Sequence, residues 1–519
     1  MAGVWEELGG DPALLHRVST VVRPGALEAR LPVRELARAC VGVCALAGAE
    51  LGARRAGLAE VPRVRVDDGA VATAFVSERH LLIDGRAPVT FAPLSRFWRT
   101  ADGWVRTHAN YPHHRARLLG ALGLADDATV EDVAGLLAER SASEVEETVY
   151  GAGGLAVALR TAKEWAALEQ GIRVAGRPLV ERERVDSVRA RVLAPLDGDP
   201  LLPASGVRVL DLTRVIAGPV ATRTLALLGA DVLRVDAPQL PEHSDAHADT
   251  GFGKRSATLD LAADRRVLED LLAAADVVVT GYRPGSLDRF GLSPEALAER
   301  RPGLVVAQLS AWGAYGPWGE RRGFDSLVQV ATGIAAIEGS PERPGALPAQ
   351  ALDHGTGYLL AAAVLRALIE QGDEGGTRLV RAALARTAAW LVNGLNGLNG
   401  LNGLVHDEGA AGSGSAADSG SAAGSGLAVD SGSAADAGSA AGSRSAAGSR
   451  SAVGSSSAVG SSSAADSGDE PGRWLAERDS GIGRLRYALP PVSFAGGPAD
   501  WARPPGPWGT DPARWAGQA

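Results

Sequence analysis

Four short apolar runs, VRVLDL (207–212), DVLRVD (231–236), DVVVTGY (276–282) and LVVAQLS (304–310), recur between stretches with helical patterning. This alternation constrains the fold more than any other feature. Strands separated by helices at such spacing build βαβ units and a parallel sheet. The first unit turns at Ala217-Gly218-Pro219, with Pro219 placed to start a helix over 220–228 and Gly229 placed to stop it. Further helices are expected near 263–274 and 293–300. A sheet of this kind binds its ligand beyond the carboxyl ends of its strands.

The remainder reads differently. Residues 35–57 carry a strong helix pattern, 64–79 a strand leading into a short helix, and 98–110 two strands joined by Ala-Asp-Gly. From 393 to 404 the chain repeats Asn-Gly-Leu, and from about 410 to 468 a loose Gly-Ser-x-Ser-Ala-Ala unit recurs. That segment has almost no large apolar residue to offset the entropy of ordering. It is expected to be a disordered, flexible linker over 401–470.

Composition narrows the function. The formal net charge of -9 argues against nucleic acid as the main partner. Two cysteines in 519 residues exclude a disulfide framework. No run of about 18 apolar residues is evident, so no membrane span is expected. The acidic start MAGVWEELGGDP lacks a signal pattern, and the cytoplasm is the expected location.

Several residues could carry chemistry. Cys40 and Cys44 share a helix face without metal-ligand companions and read as core thiols. His108, His113 and His114 could ligate zinc, but no carboxylate completes a motif, and a polar site wall or loop hydrogen bonding fits better. The segment 251–256, GFGKRS, fails as a phosphate loop, because Ala248 stands where the first Gly belongs and Arg255 where Ser or Thr belongs. The unit at 207–236 lacks Gly-x-Gly-x-x-Gly, which disfavours NAD. Asp353 stands at the mouth of an Ala/Leu helix, followed by Gly355, Thr356 and Gly357. A helix N-terminus favours the charged carboxylate, which would then be an available nucleophile. An ordinary N-cap accounts for Asp353 equally well.

Five blocks add a more specific signal: 206–238, 254–262 (KRSATLDLA), 275–297, 311–329 (AWGAYGPWGERRGFDSLVQ) and 352–357 (LDHGTG). On these, residues 205–368 resemble the family III CoA-transferases (CaiB/BaiF type), the group of formyl-CoA:oxalate and carnitine CoA-transferases. The resemblance implies an α/β fold: a Rossmann-like parallel-sheet CoA-binding domain plus a smaller α+β domain. It implies that Asp353 is the acyl-carrying nucleophile. It assigns CoA contacts to Ala217, Gly218, Pro219, Arg234, Tyr282, Arg283, Arg289, Arg322 and Phe324. Gly281 replaces an Asn often found there. The α-methylacyl-CoA racemases of the same group carry His-Asp where this chain has Phe324-Asp325, which favours transfer over racemisation. The implied substrates are an acyl-CoA and a carboxylic acid, with no resident cofactor or metal, and the implied assembly is a homodimer. A racemase or isomerase, or a degenerate CoA-binding subunit, are the alternatives.

The order of the parts departs from the family. Residues 31–190 resemble the downstream half of a member, with Leu36 at the nucleophile position and Glu35 beside it, so this copy looks inactive. Residues 483–501 resemble the family's C-terminal segment. The expected division is 1–200, an inactive downstream half; 201–400, the CoA-binding part with Asp353; 401–470, the linker; and 471–519, the tail. Deleting about 409–467 should leave the melting temperature essentially unchanged, and hydrogen exchange across that stretch should show no protection. Slow exchange there would mean an ordered repeat.

Overall fold

The computed structural model describes residues 1–88, 91–189, 192–395 and 471–517. The proposed linker at 401–470 and most of the Asn-Gly-Leu repeat lie outside them. The strands among the described residues are β1 (Val18–Val21), β2 (Val64–Asp67), β3 (Leu82–Ile83), β4 (Phe97–Arg99), β5 (Trp104–Thr107), β6 (Ala156–Ala158), β7 (Val180–Arg184), β8 (Arg208–Leu212), β9 (Asp231–Asp236), β10 (Arg255–Thr258), β11 (Val277–Thr280), β12 (Val305–Ser310), β13 (Arg378–Ala383), β14 (Leu475–Ser480) and β15 (Gly483–Ala488).

Seven of them form the main sheet, in the order β10-β9-β8-β11-β12-β13-β7. The first six run parallel, with Val277 opposite Val209 and Ser310 opposite Ala383. β7 closes one edge antiparallel to β13. The four expected strands are present within a residue or two. The order reverses between β8 and β11, so the crevice beyond Leu212 and Thr280 is the place for a ligand.

Five helices matter for the site: α1 (Val33–Ala56), α2 (Pro112–Leu122), α3 (Ala217–Leu227), α4 (Asp325–Ala331) and α5 (Ala351–Glu374). α1 ends where Gly57 adopts φ 63°, a left-handed turn that costs glycine little. α1 is apolar nearly all round, as a fully buried helix must be. By length and composition it could cross a membrane, which corrects the expectation that no such segment exists. Here its apolar surface is buried inside the fold, mainly against α5. A Cβ on Gly355 of α5 would lie 2.9 Å from Leu36, while Glu50 pairs with Arg366 and Arg54 with Asp373. The partners advance in the same direction along both helices, so α1 and α5 run parallel.

The N-terminal region is woven into the same compact unit as residues 201–395. It supplies β7 to the main sheet and α1 to the central core. The antiparallel sheet β4-β5-β6, with α2 and the helices Val130–Ala138 and Ala142–Gly151, encloses a separate core around Trp98, Val105, Leu118, Leu137 and Val149.

The C-terminal stretch straps several parts together. β15 pairs with β14 and with β3. Further on, Thr510 bridges Ala257 of edge strand β10, and the Asp511 N–H donates to the Ser256 carbonyl at 2.8 Å. The indole N–H groups of Trp501, Trp508 and Trp515 donate to Arg223 O, Asp236 Oδ2 and Leu271 O.

The Glu50–Arg366 pair, 2.6 Å apart with both side chains about 6% exposed, tests the α1–α5 contact. Glu50→Ala leaves Arg366 charged and buried, and should cost about 3–5 kcal/mol. Replacing both residues by Met should restore much of that loss. Thermal unfolding of the single and double variants measures it.

Candidate active site

The site grows from the loop after β8. Val215 there holds φ 70°, a left-handed conformation costly for a β-branched residue. Its N–H donates to Glu242 at 3.1 Å, which helps hold the loop. Glu242 is buried, and it also accepts from the Tyr111 hydroxyl at 2.6 Å and from Arg234 at 3.0 Å. Burial favours its neutral form, but Arg234 and Arg214 overcome that and hold it at about 2.

Ala217, Gly218 and Pro219 form the buried first turn of α3 rather than a turn before it. A Cβ on Gly357 of α5 would lie 2.6 Å from the Ala217 carbonyl, so glycine is required for this contact. The Ala-Gly-Pro turn therefore packs one helical turn beyond Asp353.

Asp353 lies in the first turn of α5 and is 7% exposed. It does not cap the helix. That role falls to Asp325 of α4, whose Oδ2 accepts the N–H groups of Leu352 at 2.9 Å and Asp353 at 3.0 Å. Gln329 donates to the other oxygen of Asp325. The Asp353 carboxyl itself accepts no hydrogen bond from any described residue. Burial, then the fields of Asp325 and Glu78, hold it well above the usual carboxylate range. Asp325 is pushed up to about 6 by burial, partly offset by its donors. The expectation that the helix end keeps Asp353 charged is thus corrected: desolvation and neighbouring carboxylates outweigh the dipole.

The next residue, His354, is fully buried, stacks on Phe75 with centroids 5.2 Å apart, and places Nε2 3.7 Å from Glu78 Oε2. Glu78 comes from the short helix Ser77–His80 of the N-terminal region. Sequence reasoning missed it, and no local motif marks it.

The other expected CoA contacts separate into groups. Arg322 is shifted down by burial, then by the fields of Arg117 and Arg283. Arg283 and Arg322 are therefore brought together, with Arg117 of α2 as an unexpected third cation. The Arg322 carbonyl accepts from the Tyr150 hydroxyl at 3.0 Å, tying this loop to the helix Ala142–Gly151. Phe324 precedes α4, and its ring meets His108 at 3.6 Å and His114 at 5.8 Å between centroids. Arg234 is 1% exposed and engaged with Asp236 at 2.8 Å as well as Glu242, so its charge is spent inside the protein. Arg289 is exposed and lies over its neighbour Phe290. Tyr282 lines a cavity of about 210 Å³ at the carboxyl ends of β11, β12 and β13, together with Tyr315, Arg381 and Arg386; Asp353 does not line it. Cys40 and Cys44 are buried thiols, shifted upward by desolvation.

Residues 204–416 match the family model described as CoA-transferase family III. Over this segment the chain is similar to CoA-transferase family III. The family segment is 37% identical over 202 residues to the acetyl-coenzyme A transferase nodX of Hypoxylon pulicicidum, covering 37% of this chain and 34% of that protein. It is 36% identical over 209 residues to a probable fatty acyl-CoA transferase of Mycobacterium tuberculosis, covering 37% of this chain and 53% of that protein. The chain thus spans about a third to a half of the length of these relatives. A crystal structure of a hypothetical protein from Mycobacterium tuberculosis aligns at 36% identity over 38% of this chain and 60% of that one, with a TM-score of 0.36.

The raised Asp353 carboxyl has a stability consequence. A carboxyl whose folded value exceeds its unfolded value stabilises the fold below about 3.9 and loses that contribution as pH rises through the folded value. Asp353→Asn should therefore raise the melting temperature at pH 7–8. The gain should shrink on acidification and vanish below about pH 4. Melting curves across pH measure this, and a gain that grows toward low pH would overturn the sign.

Proposed function

We propose that this chain transfers CoA from an acyl-CoA donor to a carboxylic acid through Asp353. The observation that carries the reading is the Asp353 carboxyl: buried, accepting no hydrogen bond from any described residue, and beside the Ala217–Pro219 turn at the sheet's switch point. A carboxylate so poorly solvated has little stabilisation to lose on attack, so its ionised form is a strong nucleophile.

The steps balance without a metal or redox partner. An Asp353 oxygen attacks the thioester carbonyl, the C–S bond breaks, and CoA leaves as thiolate, giving a mixed anhydride. The thiolate attacks the Asp353 carbonyl carbon and releases the donor's carboxylate, leaving an aspartyl-CoA thioester. The acceptor carboxylate attacks that thioester and expels the thiolate, forming a second anhydride. The thiolate then takes the acceptor's acyl carbon, and Asp353 returns as carboxylate.

The strand order, reversing between β8 and β11, supports reading the main sheet as a Rossmann-like CoA-binding layer, with β4-β5-β6 and its helices as the smaller α+β domain. Arg117, Arg283 and Arg322, whose charges act on one another at Arg322, suit the phosphates of CoA. The N-terminal region would then complete the CoA site rather than merely accompany it.

Asp353→Ala should fold and lose transfer by about four orders of magnitude or more, the scale seen when covalent nucleophiles are removed. Incubation of the parent with acyl-CoA and hydroxylamine should place a hydroxamate on Asp353, read by peptide mass spectrometry. Retention of about a tenth of the parent's transfer in the Ala variant would refute the assignment.

A further inference from the structure

Two carboxyl groups act on Asp353, and they are unlike. Asp325 is spent in capping α5. Glu78 comes from the N-terminal region, and its buried Oε2 accepts no hydrogen bond from any described residue.

The local fold fixes where Glu78 sits. The Phe75 ring stacks on His354 and, at 5.9 Å, on Tyr358, one helical turn further along α5. The segment that carries Glu78 is thereby laid along the start of α5. Ser77 is anchored from another side: its hydroxyl donates to Asp249 at 2.9 Å and accepts from Arg223 of α3 at 3.3 Å. Glu78 Oε2 is then brought to 3.7 Å from Nε2 of His354, the residue after Asp353. That gap exceeds a hydrogen bond, and the His354 nitrogen has no other partner among the described residues. The remaining charged groups nearby are engaged or screened. Arg223 and Asp249 pair with each other. Burial, above all, keeps His80 below its usual range and so neutral at neutral pH. Arg79 Nε stands 3.6 Å from Glu78 Oε1, but its side chain is about half exposed, so water screens it. Burial opposes ionisation of Glu78, yet His354 first, then its own backbone N–H and Arg79, hold it below the usual carboxylate range. Glu78 is therefore an anion at neutral pH, fixed beside the turn that carries Asp353.

We propose that Glu78 is a positioning residue, whose fixed negative charge drives Asp353 from its carboxylate toward its acylated forms. This rests on the transfer reading above. Over the first half-reaction the Asp353 carboxylate and an acyl-CoA become an aspartyl-CoA thioester and the donor's carboxylate. The donor's C–S bond and one Asp353 C–O bond break. A C–S bond to Asp353 and a C–O bond in the released acid form, and the negative charge leaves with that acid. Asp353 is charged before the half-reaction and neutral after it, so repulsion by Glu78 is relieved. The same repulsion acts on its protonation. One interaction thus has two readouts that must move together.

The test uses the full chain, acetyl-CoA and acetate as the probe pair, and Glu78→Gln, which keeps the shape and removes the charge. After acid quenching, peptide mass spectrometry reads the fraction of Asp353 held as CoA thioester across pH. In the variant the pH at which thioester appears should fall by about one unit, and the equilibrium constant above that transition should fall about tenfold. On the acid side, between the transitions of Glu78 and Asp353, the two changes cancel, because a neutral Asp353 feels no charge. Parent and variant should coincide there, whereas a merely structural loss would lower the curve at every pH. Glu78→Asp should keep part of the parent's behaviour. A Glu78→Gln curve lowered at every pH, or one identical to the parent's, would overturn the role. Melting curves read the same repulsion without chemistry: the gain from Asp353→Asn at pH 7–8 should be smaller in a Glu78→Gln background, and an unchanged gain would also overturn the role. A smaller gain with no thioester in the parent counts against the transfer reading alone. Thioester in the parent that does not respond to Glu78→Gln counts against Glu78 alone.

Discussion

Two 24-residue helices, α1 and α5, lie side by side and point the same way. Their positive ends therefore meet at one end of the pair instead of cancelling. The carboxyl groups of Asp325 and Glu78 act on that of Asp353 near the start of α5. The magnitudes decide which force governs them. A helix end is worth about 0.3–1 kcal/mol to a nearby anion, and at most about 2. Removing a carboxylate from water costs several kcal/mol even after relaxation. Asp325 recovers part of that cost through two backbone N–H groups and Gln329, whereas Asp353 does not. One carboxyl is thereby made structural, and its neighbour is left with its reactivity unspent.

The parallel pairing also explains why the N-terminal region cannot be a passive addition. α1 fills the face of α5 behind Asp353, with Leu36 against Gly355. Glu78 reaches His354 and affects Asp353. Arg117 joins Arg283 and Arg322, and His108 meets Phe324. Each group that completes the site on this side arrives from a part of the chain at least 166 residues from its partner.

Much of the sheet was legible because its central strands are buried on both faces and so read as apolar runs. β8, β9, β11 and β12 announce themselves in this way. The edge strands do not: β7 is VERER and β10 is RSAT, since an edge strand needs only part of its surface buried. β13, RLVRAA, alternates less clearly and is fixed by its pairing with β12. In the site, Asp353 stood out from its helix and its small neighbours. The upward shift of its carboxyl did not, because that depends first on burial and then on Asp325 and Glu78, all brought about only by folding. Arg234 shows the opposite failure. A basic residue within a strand looks available from sequence, yet Asp236 and Glu242 claim its charge. His108, in a run of histidines, suggested a polar wall, but its lack of partners is visible only in three dimensions.

The strap over β10 bears on how the chain is made. The Gly509 N–H donates to the Ser256 hydroxyl, 253 positions earlier in sequence. At about 5–20 residues per second, a ribosome needs roughly 13–50 s to add that length. Once β13 has been made, at Ala383, the six parallel strands wait through the rest of that interval with the β10 edge open, the kind of surface that recruits foreign strands. The polar, arginine-bearing RSAT of β10 is poor bait for such pairing. The weakness of this strand as a sequence signal is then a safeguard during synthesis, held in place until its own cover arrives.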